Sequence, residues 1–322
     1  MSELLPILIN ATGLHEFGIQ RVVQNAPSRY KVFPIKKRDG GRRLIAQPAR
    51  EVKILQRALI TEVLSALPVH PAAMAYRTGV SIRQNAAVHA GAGPILKFDF
   101  SEFFPSIRSS DWEAYCDKHG LLANPVDRLM STRILFHRAK GSSVLRLAIG
   151  APSSPILSNI LMYEFDCAVT DMIEGGHVAY SRYADDLTFS APRTGYLNGI
   201  EKQLRGVLRK MANPKLKLND TKTTLATRRY RREVTGLVLT NDGAVSLGRE
   251  KKRLIRAALH REKLGLLTQR EREHLCGMLA YVNAVEPTFL VRMEARYGPE
   301  LLASVKRQVR EVEPRARAIP EL

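Results

Sequence analysis

The chain has 322 residues, enough for a large core shared among two or three subdomains, so its size does not confine it to a small binding module. Its 50 lysines and arginines against 31 aspartates and glutamates leave a formal charge of +19, which favours a polyanionic partner, nucleic acid above all. No run of 18 or more apolar residues is present, Met1 to Ile9 lacks the basic flank and cleavage site of a signal peptide, and three scattered cysteines (Cys116, Cys167, Cys276) suit neither a disulfide frame nor a zinc site. The expectation is a cytoplasmic protein with reduced cysteines and no membrane attachment.

Residues 1–25 read as an amphipathic helical opening, and Lys31 to Pro48 as a strand, an Asp39-Gly40-Gly41 turn and a return strand. From Glu51 to Leu67 the apolar residues Val52, Leu55, Leu59 and Val63 share one helix face, and Pro68 and Pro71 stop that helix. Asn85 and His89 stand four apart, hence on one face of a further helix. The mostly apolar Ile95-Leu96-Lys97-Phe98-Asp99-Phe100 reads as a central strand. Val178-Ala179-Tyr180 and Leu187-Thr188-Phe189 read as two strands with Ala184-Asp185-Asp186 at a tight turn between them. Beyond about residue 245 the composition shifts to basic helix: Arg249 to Arg261 sets Leu254, Ile255, Ala258 and Leu259 against a cationic face, just after Arg228-Arg229-Tyr230-Arg231-Arg232. A charged helix face is ordinarily solvated, but this excess of one sign suits a surface that tracks phosphates. After Glu313, Pro314 and Pro320 break any helical pattern; no internal repeat or low-complexity segment occurs.

Three carboxylates, Asp99, Asp185 and Asp186, thus fall on adjacent strands. An Asp-Asp pair alone is commonly a turn, and an aspartate after an apolar strand is commonly a helix cap. Gathered together, the three make an oxygen-only site suited to Mg²⁺. Two such ions, roughly 3.5–4 Å apart, can activate an attacking hydroxyl and stabilise departing pyrophosphate.

In order along the chain stand Phe98 to Ile107, Gly150-Ala151-Pro152-Ser153-Ser154-Pro155-Ile156-Leu157-Ser158-Asn159, Tyr183-Ala184-Asp185-Asp186 and Leu218-Asn219-Asp220-Thr221-Lys222-Thr223. This succession resembles the palm motifs of reverse transcriptases. Asn85-Ala86-Ala87-Val88-His89 and Val234-Thr235-Gly236 are similar to two further elements of bacterial retron reverse transcriptases. The resemblance covers nearly the whole chain and leaves no room for the RNase H domain of retroviral enzymes. It implies an α+β, right-hand polymerase fold with fingers, an antiparallel-sheet palm and a helical thumb. Fingers and palm would occupy residues 1–245, with fingers at roughly 28–95 and 108–148, and a basic helical thumb 246–322.

The same resemblance implies roles. Asp99, Asp185 and Asp186 would be catalytic and hold two Mg²⁺ ions. Lys222 would assist the leaving pyrophosphate, or contact backbone phosphate as a surface lysine. Arg43 would grip the dNTP triphosphate; Lys36 or Lys37, and Arg42, would join it or touch the template. Phe100, Phe104 and Gly150 would line the nucleotide site, Phe104 as the bulky residue that excludes a ribose 2′-hydroxyl; Phe103 can equally be core, and Phe104 with it. Many relatives carry Gln just before the glycine, where this chain has Ile149. Tyr183 would lie beneath the primer terminus or pack in the palm. Asn85 and His89 would face RNA or serve the fold, while Val234, Thr235, Gly236, Arg249, Lys251 and Lys252 would meet primer or RNA. The implied function is an RNA-directed DNA polymerase that copies part of a cognate structured noncoding RNA into short branched single-stranded DNA from a guanosine 2′-hydroxyl, in antiphage defence with an effector protein from the same operon. Its partners would be that RNA, the RNA–DNA hybrid and dNTPs. Another defence-associated reverse transcriptase, or a noncatalytic RNA-binding scaffold or maturase, is the alternative.

Overall fold

The computed structural model describes residues 2–36 and 40–312. Lys37, Asp39 of the expected turn and the segment after Glu313 lie outside the described residues. The opening is two helices, α1 (Leu4–Thr12) and α2 (Glu16–Asn25), with Gly13 in the left-handed conformation capping the first. Strands β1 (Tyr30–Lys36) and β2 (Arg42–Pro48) pair antiparallel with Ile35 opposite Arg43 and Lys36 opposite Arg42, as the hairpin reading predicts. Helix α3 (Arg50–Glu62) ends sooner than expected, passing into a short 3₁₀ turn at Leu64–Ala66. Helix α4 (Ile82–Val88) starts at a capping box in which Ser81 and Gln84 exchange side-chain and backbone hydrogen bonds.

Strand β3 (Ile95–Asp99) is followed by the one-turn α5 (Phe103–Ser106), then α6 (Ser109–His119), α7 (Pro125–Leu135), a two-residue hairpin of β4 (His137–Arg138) and β5 (Leu145–Arg146), α8 (Ser154–Leu161) and α9 (Tyr163–Met172). Strands β6 (Ala179–Tyr183) and β7 (Asp186–Ser190) come next, then α10 (Ile200–Lys210) and β8 (Thr224–Ala226). The remainder is a three-stranded sheet, β9 (Arg232–Val234), β10 (Leu237–Leu239) and β11 (Val245–Ser246), and four helices, α11 (Arg249–Lys263), α12 (Gln269–Val285), α13 (Pro287–Tyr297) and α14 (Pro299–Val312).

Two compact units result: residues 1–80 with 93–225, and residues 81–92 with 226–322. This division differs from the expected boundary at residue 245, because α4 packs with β9–β11 and α12 and so joins the C-terminal unit. The first unit is organised around a sheet of order β6-β7-β3-β8, in which β7 runs antiparallel to both neighbours. Phe98 of β3 meets Phe189 of β7 edge-on at 5.9 Å, and Phe100 stacks on Phe103 and meets Phe165, so one aromatic core fixes the strand that carries Asp99. In the second unit Ile255, Leu259, Leu275, Leu279, Val282 and Phe289 form the helical core. Among the described residues no helix is long and apolar enough to cross a membrane.

Candidate active site

Register builds the site. Asp99, the last residue of β3, pairs with Asp186, the first of β7, and Asp186 also pairs with Tyr183 across the β6–β7 hairpin. Directly opposed residues of antiparallel strands share a face, so Asp99 and Asp186 project together. Asp186 therefore belongs to the strand, whereas the sequence reading put it in the turn. The turn proper is Ala184-Asp185, with Ala184 at a φ of 58° and buried, and the Asp185 carbonyl accepts a 3.0 Å bond from Phe100 N–H. Burial first, and then the negative charge of Asp99, raise the Asp185 pKa against the pull of Lys222 and Arg43. Asp186 is raised by burial and by Asp185 and Asp99, with Lys97 opposing.

Lys222 arrives by backbone pairing. Ser101 N–H donates to Lys217 C=O and Asn219 N–H to Asp99 C=O at 2.7 Å, and Asn219 then caps the short turn that contains Lys222. Its Nζ donates to Asp99 Oδ2 at 2.9 Å, and this bond first of all raises its pKa. A lysine so held is a proton-bearing cation beside the carboxylates.

Among the described residues no three acidic, histidine or cysteine side chains gather tightly enough to hold an ion unaided. A divalent ion at these carboxylates would complete its coordination with water or substrate phosphate oxygens. The donor set here is carboxylate oxygen, and both the burial and the neighbouring negative charge that raise Asp185 and Asp186 are what a bound cation offsets.

The β1–β2 hairpin supplies Arg43, exposed on β2 and close enough to Asp185 and Tyr76 to act on both electrostatically. Lys36 is exposed on β1 opposite Arg42. Gly150 meets this hairpin: its φ is 118°, a Cβ there would sit 3.0 Å from Ile45 Cγ2 and 3.1 Å from the Ala46 carbonyl, and Ile149 C=O accepts from Ala46 N–H at 2.8 Å. Glycine is required by both backbone angle and close approach. Phe104 is half-buried while Phe103 is buried in the core, which separates the two rings that the sequence left equivalent. Phe100, expected to line a nucleotide site, instead has its ring buried in the aromatic core against Phe103 and Phe165.

In the C-terminal unit the structure buries several residues expected at an RNA surface. Asn85 is 1% exposed, His89 0% and Val234 1%, so all three side chains pack inside their unit, as the alternative of service to the fold held for Asn85 and His89. Burial pushes the His89 pKa down to about 4. Lys252 pairs with Glu286 at 2.6 Å with both side chains largely buried, and Lys251 donates to Gly236 C=O at 2.9 Å. Thr235 and Gly236 both have positive φ, and Thr235 Oγ1 donates to Ile82 C=O. Arg249 is exposed.

Comparison with known proteins now adds a decisive observation. Residues 35–256 match the reverse transcriptase (RNA-dependent DNA polymerase) family. The chain is 34% identical to the Retron Ec83 reverse transcriptase of Escherichia coli over 87% of its own length and 90% of the relative's. It belongs to the retron reverse transcriptases. It is also 30% identical to the Retron Ec86 reverse transcriptase of Escherichia coli (94% of this chain, 95% of the relative) and 32% to the Retron Mx65 reverse transcriptase of Myxococcus xanthus (89% and 68%). Among solved structures it is similar to telomerase from Candida albicans in complex with a TWJ fragment of telomeric RNA, with a TM-score of 0.46 and 13% identity over 86% of this chain and 61% of that one. As a retron reverse transcriptase, the chain is an RNA-directed DNA polymerase.

Sequence reasoning missed two residues of this retron enzyme that lie beside the carboxylates. Arg182, in β6, is fully buried and bonds Asp166 through Nε and Nη2, Asn159 Oδ1 at 3.1 Å and the Ala184 carbonyl at 3.3 Å, while Tyr180 Oη donates to Asp166 at 2.8 Å. It ties α8 and α9 to the turn that bears Asp185. Tyr76, in the loop before α4, is 48% exposed with a φ of 60°, its ring 6.3 Å from that of Phe104. Burial raises its pKa first, then Asp185 and Tyr183, with Arg43 opposing. The signal for Arg182 was its place one residue before the Tyr183–Asp186 motif; Tyr76 had none.

Proposed function

We propose that this retron reverse transcriptase copies part of a cognate structured noncoding RNA, encoded beside it, into short branched single-stranded DNA. Synthesis begins at the 2′-hydroxyl of a guanosine in that RNA. The product serves antiphage defence in the cytoplasm with an effector protein from the same operon. The observation that carries the polymerase chemistry is the pairing of Asp99 with Asp186, with Asp185 at the adjoining turn and the Lys222 ammonium held on Asp99.

In this reading Asp99, Asp185 and Asp186 would hold two Mg²⁺ ions, which supply Lewis acidity for the attacking hydroxyl and charge neutralisation for pyrophosphate. Lys222 keeps its proton and offers positive charge near the leaving group. Arg43, assisted by Lys36, grips the triphosphate through a planar guanidinium suited to phosphate oxygens. Phe104 excludes a 2′-hydroxyl, Gly150 brings the hairpin close, and Tyr183 lies beneath the primer end. The sheet is the palm, the hairpin belongs to the fingers, and the C-terminal helices are the thumb. Thr235, Gly236 and Arg249 meet primer or RNA directly; Asn85, His89, Val234, Lys251 and Lys252 hold the elements that present them. RNA is engaged by shape, loops and 2′-hydroxyls, since the A-form major groove is too narrow to read.

The test is the nucleic acid that co-purifies with the tagged enzyme expressed with its native flanking DNA, resolved by gel after RNase treatment. Wild type is expected to carry a discrete short DNA retarded by a residual RNA branch, and Asp185→Asn to lose it by at least a hundredfold, on the order of an electrostatic catalytic group. RNA without DNA in both samples would instead point to a binding scaffold.

A further inference from the structure

The loop that carries Tyr76 is held far more tightly than a loop needs to be. Ala73 bridges Arg182 in parallel, Met74 N–H donates to Arg182 C=O at 2.8 Å, and Arg182 N–H donates to Ala72 C=O at 2.8 Å. One residue before the tyrosine, Ala75 C=O accepts from Asn159 Nδ2 at 2.8 Å, and Asn159 is itself fixed by the buried Arg182 guanidinium. One residue after it, Arg77 donates back to the carbonyls of Pro71 and Ala73. Ala73 and Ala75 are fully buried, yet the side chain that follows stands out of the core. A bulky residue at positive φ is an outlier that persists only where its surroundings impose it, and such strain gathers at functional sites. The core gains little from a half-exposed ring, so packing does not account for it. What the ring does meet is Phe104, within electrostatic reach of Asp185, Tyr183 and Arg43.

We propose that Tyr76 is a specificity-determining residue of the polymerase site, completing with Phe104 an aromatic wall against which the sugar and base of the incoming nucleotide rest. The proposal rests on the reading that Phe104 and Arg43 line the nucleotide site. Its physical basis is that a rigid aromatic face offers stacking area at low entropic cost, and two rings set at an angle make a narrower slot than one. The Asp166–Arg182–Asn159 cluster then positions both sides of the reaction: through the Ala184 carbonyl it holds the carboxylate turn, and through the Ala75 carbonyl it holds the wall.

The experiment is steady-state single-nucleotide incorporation by the full-length enzyme on a DNA primer annealed to an RNA template, with dNTP and with the matching rNTP, for Tyr76→Gly, Tyr76→Phe and Phe104→Ala. Glycine accepts the positive φ, so Tyr76→Gly should keep the melting temperature of the wild type. It should raise the KM for dNTP about tenfold and lower discrimination against rNTP, with kcat changed much less, while Tyr76→Phe keeps wild-type values. If glycine proves unable to fold, Tyr76→Asn, also tolerated at positive φ, takes its place. Unchanged KM and discrimination in the Tyr76 variants, with discrimination lost in Phe104→Ala, would overturn the proposal and leave the nucleotide site standing. Unchanged discrimination in Phe104→Ala as well would remove the site assignment and the proposal together. A fall in kcat that tracks a fall in melting temperature, at constant KM, would make Tyr76 merely structural.

Discussion

Arg182 is a cation without access to water, and its worth lies in what it would cost to leave it or Asp166 alone. Breaking a buried pair by removing one partner typically costs about 3–5 kcal/mol, whereas replacing both by apolar groups is often neutral. Asp166→Asn is therefore expected to lower urea-unfolding stability by about that amount, and Asp166→Leu with Arg182→Met to recover most of it. The double variant should still polymerise poorly, since the bond to Ala184 C=O is gone. His89 gives a second residue-scale expectation. Its folded pKa of about 4 lies below the ordinary histidine value, so the unfolded chain binds the proton first as pH falls. The stability it contributes is complete above about pH 6.5 and declines as pH falls towards 4, by roughly 3 kcal/mol. His89→Gln should flatten the difference in unfolding free energy between pH 7 and pH 4.5.

At the scale of elements, the site depends on a hairpin docked through one glycine. Gly150→Ala forces a Cβ at a φ of 118° against Ile45 and the Ala46 carbonyl, a strain of about 1–3 kcal/mol that the neighbouring β2 must absorb by shifting. Because β2 carries Arg43, the expected outcome is a higher KM for dNTP with a smaller change in kcat, read by the same incorporation kinetics. The elements that were legible in the sequence are those with a strict pattern. The β6–β7 hairpin turns on acidic residues, and β3 is apolar except for Lys97 until it reaches Asp99, so strands, partners and carboxylates could all be read. Helix α4 could not be read in full: Ile82-Arg83-Gln84-Asn85-Ala86-Ala87-Val88 has a polar residue on its buried face, and the burial of Asn85 and His89 shows only once α4 is seen packed against β9–β11 and α12. Arg182 carries no sequence signal of its burial for the same reason, since its partner Asp166 comes from a helix on the far side of a loop. The loop at Tyr76 has neither periodicity nor a turn residue to announce a positive φ.

For the whole molecule, the charge of +19 overstates what is offered to RNA. Arg232 is buried and spends its donors on the carbonyls of Ala92, Leu239 and Thr240, and Lys252 is committed to Glu286. The exposed cations of the same unit include Arg228, Arg229, Arg249, Arg253 and Arg256. Affinity for RNA should fall steeply with salt, and Arg249→Ala with Arg253→Ala should reduce the slope of log affinity against log salt by about 1–2, roughly one counterion per lost phosphate contact. Lys252→Ala should instead lower the melting temperature and leave that slope unchanged.

One consequence of the unit division concerns the order of synthesis. Residues 81–92 leave the ribosome more than a hundred residues before residue 226, where the rest of their unit begins. At typical elongation rates the delay is on the order of ten seconds, long compared with helix formation. Through that interval the strip that carries Asn85, Ala86 and His89 lacks the partners that bury it, while the carboxylate-bearing strands β3, β6 and β7 emerge one after another. The catalytic half can thus begin to fold on the nascent chain, but its companion waits until the residues from Ala226 onward have been made.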